Sequence, residues 1–127
     1  MSMSNYLENA LLNHVLGSTS YTKPTALYVA LYTKNPTDDD TATEVSGSGY
    51  ARRKVTFGTA SNGSISNSAD ITFPVATGSW GTVSHIGIRD ASTGGNLLFS
   101  GALSSSQTIV ANNQLIIKAG QLTITLD

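Results

Sequence analysis

Apolar residues recur with two different periods along this chain, and the change falls near residue 25. Before it, Leu7, Leu11 and Val15 recur every four residues, with Ala10, Leu12 and Leu16 widening the stripe. That spacing predicts an amphipathic helix over about residues 5–16. Asn5-Tyr6-Leu7-Glu8 has the spacing of a capping box, with Asn5 as the cap, and Gly17 supplies a stop. The apolar face of this helix must cover a sheet or meet a partner subunit.

After Thr25 the period is two, the signature of strands. "ALYVALYT" puts Leu27, Val29 and Leu31 on one face and Ala26, Tyr28, Ala30 and Tyr32 on the other. Neither face is polar, which predicts a central strand covered on both sides. "YARRKVTFGTA", "SADITFPV", "WGTVSHIGIRD" and "NLLFSGAL" read as further strands, with a tight turn at Asn62-Gly63 between the first two. "QTIVANNQLIIKAGQLTITLD" reads as two or three short strands with turns at Asn112-Asn113 and Ala119-Gly120, and with Leu122, Ile124 and Leu126 facing in. The pattern predicts a mainly β fold: an antiparallel sandwich or barrel-like domain of about seven or eight short strands with one N-terminal helix. Without a long linker or internal repeat, residues 1–127 read as a single domain. The longest irregular segment, residues 34–49, reads as an insertion or contact loop.

Composition narrows the function. The 127 residues include no cysteine, so disulfides, thiolate metal sites and cysteine nucleophiles are excluded. Net charge is -1 and only 12% of residues are charged, which lacks the basic footprint of a nucleic-acid binder. No apolar run reaches the length of a membrane span, and no basic segment precedes the N-terminal apolar stretch, so neither a membrane anchor nor a signal peptide is expected. Serine, threonine, glycine and asparagine dominate the polar positions, a composition that suits short strands and wide contact with neighbours.

Candidate chemistry is sparse. "HIGIRDASTGGNLLFSGAL" brings His85, Arg89 and Asp90 to a glycine-rich turn. His85 and Arg89 share a strand face and would suit an anion, but Thr93-Gly94-Gly95-Asn96 is hairpin chemistry, and two strands with a turn is the preferred reading. Asp38, Asp39, Asp40 and Glu44 offer hard oxygen ligands for Ca²⁺, but the EF-hand spacing is absent and a solvated acidic turn is preferred. Arg52-Arg53-Lys54 alternates faces on its strand, and one face is expected to pair with the acidic loop of this or a neighbouring chain. No nucleophile elbow, zinc-protease motif or phosphate loop is present, so no catalytic residue, metal or cofactor is expected and the protein reads as a non-enzyme. Trp80 reads as a core or interface anchor, with sugar stacking as the alternative.

Four segments together resemble one family: "MSNYLENALLNHVLG", "YVALYTKNPTDDDTATEVSGSGYARRKVTFG", "SWGTVSHIGIRDASTGGNLLFSGAL" and "IKAGQLTITLD". The blocks "LYVALYT", "GYAR" and "HIGIRDA" are specific as a set. The pattern is similar to small virion proteins of tailed bacteriophages, including cyanophages, whose members are commonly labelled tail-fibre proteins. The resemblance implies a non-enzymatic virion part, assembled in the host cytoplasm. The chain lacks the heptads or repeated β-motifs of a fibre shaft, so the expected role is a capsid decoration (cement) protein that binds the major capsid protein as a homotrimer. The alternative is a tail-fibre or baseplate-associated protein bound to other tail proteins. A third reading is a carbohydrate-binding module using Trp80, Tyr28, Tyr32 or Tyr50. Candidate contact residues are Leu7, Leu11, Val15, Tyr28, Tyr32, Arg52, Arg53, Trp80, His85 and Arg89.

Overall fold

The computed structural model describes residues 1–126. Its centre is a five-stranded antiparallel sheet, built from β1 (Ser2–Met3), β2 (Leu27–Tyr32), β3 (Arg53–Val55), β6 (Gly81–Arg89) and β7 (Leu97–Ile109) in the order β1-β7-β6-β2-β3. Two short ribbons complete the strands: β4 (Ser64–Ser66) pairs with β9 (Thr123–Thr125), and β5 (Ile71–Thr72) with β8 (Ile116–Ile117). One helix, α1 (Asn5–Val15), lies between β1 and β2 in the chain. The protein is mainly β and antiparallel throughout, as the period of two predicted.

The main core forms where one sheet face meets the ribbons. Val29, Leu31, Val55, Val83, Ile86 and Ile88 of the sheet pack with Ile71, Phe73, Leu122 and Ile124. Each such side chain contributes about 1.5–3 kcal/mol when fully buried. Strand β2 pairs on both sides, with β3 and β6, and Val29 through Tyr32 are all buried. That matches a strand covered on both faces. The second face holds Leu7, Tyr32 and Leu97, which are buried but separate from the main core. Here Gly87 leaves room for its neighbours: a Cβ would sit 2.9 Å from the Tyr32 ring and 2.7 Å from Leu97 Cδ1, so those side chains would have to shift.

Several sequence expectations need correction. The helix cap is Ser4, not Asn5. The Ser4 Oγ accepts from Leu7 N at 3.2 Å and donates to the Leu97 carbonyl, while Ser4 N donates to Leu98 O. Docking on β7 therefore sets where the helix starts. Of the apolar stripe only Leu7 is buried; Leu11 is half-buried, and Leu12, Val15 and Leu16 are exposed. Strand β7 does not end at Leu103. It runs on through the serines, because Gly81–Val83 pair with Gln107–Ile109 while Leu103–Ser106 bulge opposite Ser84. Leu126, expected inside, is 51% exposed. The asparagine turns form as predicted: Asn62 and Gly63 both take positive φ, and Ser61 and Ser64 exchange two backbone hydrogen bonds.

Candidate functional site

The stretch from His85 to Leu103 is the end of β6, a turn, and the start of β7. Gly94 and Gly95 take positive φ, and the Asp90 carboxylate accepts from Asn96 N at 2.7 Å and Asn96 Nδ2 at 3.0 Å. Two arginines then tie this turn to the acidic loop. Arg89 donates five hydrogen bonds: to Tyr32 Oη, to both oxygens of Asp40, and to the carbonyls of Gly94 and Gly95. Arg52 forks onto Glu44, with Nη2 2.7 Å from Oε1, and its Nη1 reaches the carbonyls of Ala91 and Gly94 at 2.8 Å. Both guanidiniums meet at Gly94 O.

Electrostatics follow from these contacts. Burial works against the Arg89 charge, but the hydrogen bonds it donates to Asp40 and Tyr32 outweigh it and raise its pKa. The Glu44 hydrogen bonds raise Arg52 against a smaller opposing effect of burial. Tyr50 is pushed well above the ordinary tyrosine value, first by burial and then by donating its hydroxyl proton to Glu44 Oε2. Among the described residues, every buried side-chain nitrogen or oxygen has a partner. The network is therefore closed on itself, and its evident chemical task is to hold residues 36–45 and 90–96 against the sheet.

The sequence candidates separate accordingly. Arg52 and Arg89 come together through the turn, and Arg52 pairs with the acidic loop of its own chain. The acidic loop is the exposed turn expected at Asp38–Asp40, but it is also tied down: Asp40 and half-buried Glu44 are counter-ions of arginines, and Asp39 accepts from Asn5 Nδ2. No cluster of three or more metal-ligating side chains is present among the described residues. His85 does not join Arg89; its Nδ1 lies 2.8 Å from Ser84 Oγ. Arg53 is exposed and donates to Thr72 O. Trp80 is buried, donates to Ser48 O at 2.9 Å, and meets the Tyr50 ring edge-on. Tyr50 stacks in turn on Phe73. Trp80 and Tyr32 thus offer no face to a sugar, while Tyr28 is half-buried.

Two apolar surfaces lie outside the arginine network, and the first of them escaped sequence reasoning. The first is an apolar cleft of about 640 Å³ between the sheet and the β4–β9 ribbon, lined by Leu27, Phe57, Ile65, Ile88, Phe99 and Leu126, with Lys23 and Lys54 beside them. The second is the exposed apolar end of α1. The sequence offered Val15 as a contact residue and a partner subunit as one cover for the helix; the structure adds Leu12 and Leu16 to that exposed face. No helix among the described residues is long and apolar enough to cross a membrane.

The fold and network define a β domain whose arginines clamp its own loops. The chain belongs to a family of tailed-phage virion proteins: the family model described as "Podophage GP4 fiber I protein gp80" matches residues 2–125. This agrees with the resemblance seen in the sequence. No curated protein matches the chain.

Proposed function

We propose that this protein is a fibre-associated structural subunit of the phage tail that acts as a homotrimer and binds other tail proteins. The observation that carries the reading is the family description, a fibre protein, over residues 2–125. That description favours the tail over the capsid-cement role expected from the sequence. Residues 1–127 carry no repeated shaft motif, so the proposed part for this domain is fibre attachment. The closed arginine network supports a structural role, since charge-assisted forks fix both loops against the sheet. The protein performs no catalysis in this role.

Immunogold labelling of intact particles tests it, together with particles from a gene deletion. Label confined to the tail, with heads as heat-resistant as wild type and adsorption impaired, is expected. Label spread over the shell, with heads that burst at lower temperature, would restore the cement reading and its partner, the major capsid protein.

A further inference from the structure

We propose that the last turn of α1 in one copy of this chain seats in the apolar cleft of the next copy. The two surfaces match in chemistry. The ridge is convex and apolar: Leu12, Val15 and Leu16 are 58%, 71% and 79% exposed, at the i, i+3, i+4 spacing of one helix face. The cleft is concave and apolar, and its volume of about 640 Å³ is that of a site for several side chains. Neither surface has a partner within its own chain among the described residues.

Charge points to the same pairing. Lys23 and Lys54 line the cleft, and among the described residues no carboxylate does so and neither lysine forms an ion pair. The ridge brings the opposite sign. Glu8 lies on the same helix face as Leu12 and Val15, and the helix C-terminus carries the negative end of the macrodipole. A ridge-to-ridge or cleft-to-cleft pairing would oppose like charges.

The contact is heterologous, since ridge and cleft are different patches, so it generates a ring if the rotation closes and a filament if it does not. Closure at three gives the homotrimer. One ridge covers a few hundred Å², short of the ~800 Å² per partner of a stable standard interface. The contact is therefore weak between free copies and gains strength where a ring or a virion holds copies together.

This inference rests on the self-association in the proposed function, not on the tail location. The absence of native cysteine makes the test direct. Single-cysteine chains Leu16→Cys (ridge) and Ala60→Cys (exposed, at the cleft) are mixed at high concentration and oxidised. Ridge-to-cleft disulfide, several-fold above the statistical mixture of products, is expected. Adding Val15→Asp to the Leu16→Cys chain should return it to the statistical level, with circular dichroism showing the fold intact. A statistical mixture from the original pair, or an excess of Leu16→Cys homodimer, would overturn the proposal. The ridge-to-cleft disulfide together with a shell-wide label would sink the tail reading and leave the contact standing. A statistical mixture with a tail label would do the reverse.

Discussion

Arg89 sits where a point charge would not suffice. Its planar fork meets two carboxylate oxygens, a phenol and two turn carbonyls at once, a geometry that lysine cannot reproduce. Arg89→Met keeps the stem but leaves Asp40, Tyr32 Oη and two carbonyls without their donor. The expected cost is about 2 kcal/mol, because hydrogen bonds to charged groups are worth ~1.5–3 kcal/mol and the partly exposed Asp40 can rehydrate. Urea unfolding checks this; Arg89→Lys should recover only part of the loss. Tyr50 and Tyr32 give a second residue-scale test. Burial is the leading cause holding both above the ordinary value of 10.0. The neutral hydroxyl is the form the fold favours, so this stability is fully present below pH 10. It is lost as pH rises beyond, where the unfolded chain releases protons that the folded chain retains. Tyrosinate absorbance should therefore show these two residues ionising together with cooperative unfolding above pH 10. Independent, gradual ionisation in a chain that remains folded would contradict their burial.

Among the elements, α1 shows what a sequence reveals and what it conceals. The four-residue period of Leu7 and Leu11 was legible because helix formation is local, and the asparagine turns were legible because positive φ selects residue type. The cap was not legible. Asn5 and Ser4 are both good caps, and the choice depends on Leu97 and Leu98, far along the chain. The same limit hid the continuation of β7 through three serines, since that run is a bulge between two stretches of the ladder to β6 and no local pattern encodes it. The pairing of Arg52 with the acidic loop was legible in outline from the basic cluster and the carboxylates, but its choice of Glu44 and its meeting with Arg89 at Gly94 O were not, because residues 52 and 89 come together only after the sheet forms. Ser4→Ala should therefore cost ~1–2 kcal/mol, because it removes a cap and a buried donor to Leu97 O. Asn5→Ala should stay within about 0.5 kcal/mol, the usual range for an exposed substitution. Thermal unfolding of the two variants measures the difference, and equal effects would reassign the cap.

At the scale of the whole molecule, stability is unevenly distributed. Strands β2 and β6 are paired on both edges and buried through Val29–Tyr32 and Ile86–Arg89. Their amides should exchange with solvent only through global unfolding. The β4–β9 ribbon is three residues long on each side and borders the open cleft, so fewer packed atoms hold it down. It should open at a lower free energy than the sheet. If a second copy fills the cleft, the ribbon gains the partner atoms it lacks, and opening then requires dissociation first. Protection of β4 and β9 amides should consequently rise with protein concentration, while that of β2 and β6 should not. Leu16→Asp, a change at an exposed site, should abolish the concentration dependence without lowering protection of the sheet. Hydrogen exchange at several concentrations checks both statements. Concentration-independent protection of the ribbon would mean that nothing seats in the cleft and that its open shape belongs to the single chain.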